Sequence, residues 1–256
     1  MSMLSVRNLS ISFGGLLAVN EVSFDVEPGE VFTIVGPNGA GKSTIFNLIS
    51  SFYTPTEGTI EFEGRDITHF QPHQIAKQGI ARTFQNIELF DHSTVLHNLL
   101  VGRHVLRQTN LIEELLFLPR ARRAESQHRQ AVEAVIDFLE LEAYRDKIIA
   151  GLPYGVRKVV EIGRALALTP RLLLLDEPAS GLSVEETQDV AFWIEDMKSE
   201  MGLTILMVEH DMNLVAQVSD RVLAMADGRM LAMGTPAEVQ ADAGVIAAYL
   251  GEEDAA

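Results

Sequence analysis

The sequence predicts an α/β fold with a mostly helical insertion, on three observations. Short apolar runs alternate with helical stretches at both ends of the chain. The middle carries charged, Ala- and Leu-rich residues at helical spacing. A glycine-rich turn joins a buried strand to a helix near position 40.

The elements follow in order. Val22, Phe24 and Val26 alternate with Glu21, Ser23 and Asp25, the pattern of a half-buried strand, and Pro28-Gly29 turns the chain. Val31 to Val35 is short, β-rich and nearly all apolar, as a fully buried strand should be. The glycine-rich segment 36–41 leads into a helix from Lys42 to about Ser51. Gly58 to Gly64 and residues 80–84 read as further strands. From about 86 to 168 helices dominate, with Ala131, Val135, Phe138 and Leu139 at helical spacing and Arg120, Arg122 and Arg123 expected in a solvated connection between helices. After Pro170 the alternation returns. It gives a strand at Leu172–Leu175, a helix from Glu185 to about Glu200, a strand at Leu203–Val208 and a helix from Met212 to Val218. Two strands near Val222–Met225 and Met230–Met233 turn at Asp227-Gly228, and a last helix ends near Leu250.

Composition excludes several function classes. The 256 residues hold 20 Lys and Arg against 36 Asp and Glu, a net charge of −16. That argues against a broad basic face for nucleic acid and against unaided adhesion to anionic lipid. With no Cys there are no disulfides, thiolate nucleophiles or Cys-based metal sites. No stretch reaches the ~18 apolar residues of a spanning helix, so direct membrane insertion is not expected. The start, MSMLSVRNLS, has no basic segment followed by an apolar block.

The chemistry concentrates in four places. Gly36-Pro37-Asn38-Gly39-Ala40-Gly41-Lys42-Ser43 matches G-x-x-x-x-G-K-[ST], between a buried strand and a helix. In that context backbone N–H groups and the positive helix start face a phosphate, Lys42 reaches its β- and γ-oxygens, and Ser43 offers a hydroxyl to Mg²⁺. Asp176 and Glu177 end the run Leu172–Leu175; Asp176 suits Mg²⁺, and Glu177 suits the water that attacks a γ-phosphate. Gln85 follows the strand at 80–84, and His210 follows 203–208. If these strands are parallel, all four groups collect at one edge, outside the carboxyl ends of the sheet. Taken singly, Gln85 reads better as an exposed polar residue and His210 as a helix cap or surface histidine.

With these residues in place, the chain resembles an ATP-binding cassette (ABC) ATPase over essentially its whole length. In this resemblance 36–44, through Thr44, is the phosphate loop, Gln85 the Q-loop glutamine, and Leu152-Pro153-Tyr154-Gly155-Val156 the signature segment. Asp176 and Glu177 match the magnesium aspartate and catalytic glutamate. Ser180-Gly181-Leu182-Ser183 matches the D-loop, His210 the switch histidine, and Phe13 stands where the family stacks an aromatic ring on adenine. The resemblance implies a P-loop NTPase fold: a RecA-like mixed-sheet core with an antiparallel β subdomain (1–85 and 166–256) and an inserted α-helical subdomain (86–165) carrying the signature. It implies ATP and Mg²⁺, the latter held by Ser43, Gln85 and Asp176, as cofactors. It also implies a second ATPase subunit packed head to tail around two ATP molecules, as homodimer or paralogous heterodimer. Beyond these come transmembrane permease subunits and, indirectly, a periplasmic binding protein, with the chain on the cytoplasmic side of the membrane.

Finer likeness points to one group. FGGLLAVNEVSF (13–24), IARTFQNIELF (80–90), TVLHNLLVGRH (94–104), SDRVLAMADGRMLAMGTPAEV (219–239) and VIAAYLGEE (245–253) are similar to ATPases of branched-chain amino acid importers, a group that includes urea and related uptake systems. Other readings stay open: an exporter ATPase, a soluble cassette acting on DNA or the ribosome, or a binding module without hydrolysis. Against the soluble cassettes, only 66 residues separate Gln85 from Leu152, too few for a long coiled-coil insertion, and there is one phosphate loop. The signature departs from the family's Leu-Ser-Gly-Gly-Gln: Pro153 lacks the Ser hydroxyl, and Val156 replaces the Gln. Ser183 replaces the usual D-loop Asp. These departures imply a weakened half-site, completed by a partner's signature.

Overall fold

The computed structural model describes residues 2–84, 86–107 and 118–253. Two compact units emerge, one of residues 1–85 with 171–256 and one of residues 86–170.

The first unit holds two sheets. An antiparallel sheet has the order β2 (Leu16–Val26), β1 (Leu4–Phe13), β4 (Glu57–Phe62), β5 (Arg65–Asp66). A six-stranded sheet runs β10 (Arg229–Gly234), β9 (Arg221–Ala226), β3 (Val31–Val35), β8 (Thr204–Val208), β7 (Leu172–Asp176), β6 (Ile80–Arg82). Its strands pair in parallel except for the antiparallel hairpin of β9 and β10. Strands β3, β7 and β8 are buried throughout, because helices and the second sheet cover both faces. Alternate residues on one face (Phe32, Ile34, Leu174, Leu206 and Val208) share a core with Val22, Phe24 and Ile60 of the antiparallel sheet. Helix α1 (Lys42–Ile49) adds Ile45, Phe46 and Ile49 to that core. A smaller cluster of Val35, Val222 and Ala224 is covered by Val215, Val239 and Val245, from α7 (Met212–Val218), α8 (Pro236–Ala241) and α9 (Ala243–Glu253). Helix α6 (Val184–Ser199) and the short α2 (Pro72–Lys77) complete this unit.

The second unit is built on α3 (Val95–Gly102), α4 (Pro119–Phe138) and α5 (Tyr154–Leu166). Gly163 lets α5 approach α3 and α4: a Cβ there would lie 2.9 Å from Leu99 and 3.0 Å from Leu139. One expectation is corrected here. Arg120, Arg122 and Arg123 are solvated, but they form the first turns of α4 and not a connection between helices. The buried stripe of α4 is Val132, Val135 and Ile136, while Ala131 and Phe138 are half-buried at its margin. Among the described residues, no helix is long and apolar enough to cross a membrane.

Candidate active site

Sheet register gathers the candidate groups. Ile34 pairs with Val208, and Val208 with Asp176, so β3, β8 and β7 end on one row. β6 continues the row, with Arg82 opposite Leu174 and the Thr83 amide bonded to the Leu174 carbonyl at 2.9 Å. All four strands are parallel, so the segments after Val35, Asp176 and Val208 leave from the same edge. Gln85 lies outside the described residues.

The phosphate loop is shaped by close backbone contact. Gly36 has φ +149°, and a Cβ there would lie 2.1 Å from the Met225 carbonyl oxygen of β9. Gly41 has φ +97°, and its Cβ would meet the Ala18 carbonyl oxygen at 2.5 Å. Glycine is required at both points, for conformation and for space. Pro37 is half-buried, Asn38 and Gly39 are exposed, and Ala40 is buried against the core. Gly41 caps α1 without a side-chain acceptor, so the first amides of the helix look outward. Lys42 is buried, and its ammonium donates to the carbonyls of Gly36 (2.7 Å) and Pro37 (2.9 Å). This curls the cation back over the loop, within the space that phosphate oxygens need. Ser43 is exposed and Thr44 half-buried on the first turn of α1.

Asp176 is buried, and its two oxygens differ. Oδ2 accepts from Nη2 of Arg82 at 2.8 Å; Oδ1 is buried with no hydrogen-bond partner. A carboxylate oxygen in that state lacks the donor that burial demands and suits a hard cation. The donor set therefore fits Mg²⁺, with the Ser43 hydroxyl as companion. Glu177 takes φ +48°, an uncommon conformation for a non-glycine residue, and its amide is anchored on the Val208 carbonyl at 2.9 Å. Its side chain is half-buried, at the mouth of the sheet edge.

His210 is mostly exposed and is placed by its neighbour Glu209. Glu209 is completely buried. Its Oε1 accepts from the Ala179 amide at 2.9 Å, and its Oε2 accepts from the amides of His210 (2.9 Å) and Asp211 (3.3 Å). One carboxylate thus ties the turn after β7 to the turn after β8. A cavity of about 360 Å³ opens beside it, walled by Ser180, Gly181, Leu182 and His210. Ser183 ends that segment as the N-cap of α6. Its hydroxyl accepts from the Glu186 amide at 3.3 Å, and the Glu186 carboxylate accepts from the Ser183 amide at 2.8 Å. That amide holds the Glu186 carboxyl below its ordinary range. A larger hollow of about 900 Å³ follows Arg122, Glu125 and Arg129 in the second unit, with no phosphate-loop residue in its wall.

Phe13 is half-exposed at the end of β1 and packs edge-to-face on Tyr53, with ring centroids 5.0 Å apart. In the second unit, Leu152 and Val156 are half-buried, Tyr154 is exposed and Gly155 is buried. Pro153 is exposed and is the N-cap of α5, with no side-chain cap. It stands one position before Tyr154, the first residue of the helix. There it removes a cap, where a first-turn proline would have cost little.

Sequence reasoning missed Arg82, Glu209 and Tyr53. Each of the two charged residues carried a signal: Arg82 interrupts the apolar run IARTF, and Glu209 directly follows the apolar strand TILMV.

Comparison with known proteins identifies the family and the fold. The ABC transporter family model matches residues 19–180, and the model for branched-chain amino acid ATP-binding cassette transporters matches residues 229–255. The chain is 43% identical to the high-affinity branched-chain amino acid transport ATP-binding protein BraF of Pseudomonas aeruginosa, over 97% of this chain and 98% of that one. It is 41% identical to the corresponding protein LivG of Escherichia coli, over 98% of each. A crystal structure of an ATP-binding cassette of an ABC transporter in its ADP conformation superposes with a TM-score of 0.86 at 32% identity, covering 98% of this chain and 99% of that one. The chain belongs to the ABC transporter family, among the ATPases of its branched-chain amino acid group.

Proposed function

We propose that this chain is the ATP-hydrolysing subunit of an importer of branched-chain amino acids or related small amides. It works as a head-to-tail dimer docked to permease subunits on the cytoplasmic side of the membrane. A second, paralogous ATPase is the favoured partner, since Pro153 leaves this chain's signature without the hydroxyl that would face a γ-phosphate. The observation that supports the chemical reading is the common edge of β3, β8 and β7, from which the segments carrying the phosphate loop, Asp176, Glu177 and His210 leave. The match at residues 229–255 and the names of the relatives carry the transport reading.

In this mechanism the loop amides and the start of α1 take the phosphate chain, and Lys42 leaves the Gly36 and Pro37 carbonyls for the β- and γ-phosphate oxygens. Phe13 covers the adenine. Ser43, Asp176 and Gln85 would hold Mg²⁺, which would neutralise developing charge on the phosphate chain. Glu177 orients a water on the γ-phosphorus and takes its proton as the bond to the bridging oxygen breaks. ADP leaves with that electron pair. His210 donates to the γ-phosphate and reports its loss to the segment 180–183 through Glu209. Dimer closure on ATP and opening after hydrolysis would move the permease, as a population shift.

The test is Glu177→Gln. It is expected to keep ATP affinity, lose about 10²-fold or more in turnover, and accumulate a closed dimer with ATP in light scattering. Full turnover in this variant would overturn the reading.

A further inference from the structure

A buried cation sits behind the metal-binding candidate. The Arg82 side chain is only 10% exposed. Its Nη2 donates to Asp176 Oδ2 at 2.8 Å, and its Nη1 donates to Asn47 Oδ1 at 2.8 Å and Ser50 Oγ at 3.2 Å. Three aromatic rings, Phe46, Phe52 and Phe84, lie 5.4 to 5.8 Å from the guanidinium carbon. The next residue, Thr83, accepts the Asp176 amide on its hydroxyl at 3.2 Å. Arg82 therefore joins the end of β6, the end of β7 and the helix that begins at Lys42 and Ser43.

Stability alone does not account for such a residue. A buried ion pair is a poor stabiliser beside well-packed apolar groups, and a pocket walled by three phenylalanines is ready-made for one. The charge has a different consequence. Asp176 spends one oxygen on the guanidinium and leaves the other without a donor. The carboxylate is thus already neutralised when no metal is present, and only the second oxygen is offered to one.

We propose that Arg82 is a positioning residue and resident counter-cation for Asp176. It orients the carboxylate and offsets its charge in the metal-free state, lowers its affinity for a divalent cation, and lets a nucleotide enter before the metal without meeting a bare buried charge. The inference rests on the ATPase reading above and names a residue that reading does not use.

The experiment measures two constants by titration on full-length protein: ADP affinity in EDTA, and Mn²⁺ affinity in the ADP complex. Arg82→Gln keeps a donor for Oδ2 but removes the charge. It is expected to weaken metal-free ADP binding and to tighten Mn²⁺, each by about tenfold, since one charge within a few ångströms shifts such equilibria by at least that much. Arg82→Lys keeps the charge, and both constants should stay within about threefold of native. Asn47→Asp leaves Arg82 in place but gives the guanidinium a second carboxylate at Nη1. It should move both constants in the direction of the Gln variant, and it remains informative should that variant not fold. Opposite shifts of the two constants are what a merely structural arginine would not produce. A Gln variant with both constants within twofold of native, or Gln and Lys variants that behave alike, overturns the proposal; so does an Asn47→Asp protein that shifts neither. Native protein that binds no ADP overturns the ATPase reading instead, and the two failures are thereby distinct.

Discussion

Glu209→Gln is the most incisive substitution that this architecture offers. The native carboxylate is fully buried and accepts from three amides: Ala179 at one oxygen, His210 and Asp211 at the other. Glutamine has the same shape but one oxygen, so its NH₂ must face an amide N–H at one end or the other. If the oxygen serves His210 and Asp211, the Ala179 amide is left buried opposite a donor. If it serves Ala179, two amides lose their acceptor. A hydrogen bond to a charged group contributes ~1.5–3 kcal/mol, and an orphaned buried donor costs ~1–3 kcal/mol. The net loss is about 2–4 kcal/mol. At ~2–4 °C per kcal/mol for a chain of this size, the thermal midpoint should fall by about 5–15 °C. Activity should fall as well, because the same carboxylate sets the turns that carry His210 and residues 180–183; a drop in kcat of about tenfold, ~1.4 kcal/mol, with little change in KM, is expected. Calorimetry and steady-state ATPase assays give both numbers. A midpoint within about 1 °C of native together with an unchanged kcat would refute the bridging role of Glu209.

Two further predictions concern helix starts. Pro153→Ser restores a side-chain acceptor at the N-cap of α5, worth ~1 kcal/mol to that helix, and returns the hydroxyl missing from the signature segment. Turnover in the dimer should rise by one to two orders of magnitude, as for a regained charge-assisted hydrogen bond of ~1.5–3 kcal/mol. Unchanged rates, alone and with a partner ATPase, would remove the weakened half-site. Glu186 supplies the pH dependence. Its carboxyl lies below the ordinary value in the folded protein because the Ser183 amide donates to it. Its contribution is therefore present above the unfolded value and lost as pH falls through the depressed folded one. Native protein and Glu186→Gln should differ in thermal midpoint at neutral pH and draw together as the pH is lowered through the acid range; a difference that does not shrink on acidification contradicts this.

What sequence alone could determine is what local spacing encodes. A loop that cradles phosphate needs glycines and a lysine at fixed offsets between a strand and a helix, and residues 31–49 meet that need in one stretch. Buried strands such as Leu172–Asp176 announce themselves by unbroken apolar runs, and the acids that end them mark the sheet edge. Helix limits were less legible. Leu118 offers no side-chain cap to α4, so no N-cap signal marks its start, and the arginines of its first turns read as a linker. Pro153 suits the first turn of a helix, and no local signal marks that the helix begins one residue later, at Tyr154. Only the tertiary structure decided the partners of the buried charges. Arg82 meets Asp176 across 94 positions because β6 pairs with β7 in one particular register, and Glu209 meets the Ala179 amide because β7 and β8 are neighbours. Periodicity reports which face a residue takes. Which strand lies beside it is set by how the whole sheet packs, and that pairing gave Asp176 one bound oxygen and one left for a metal.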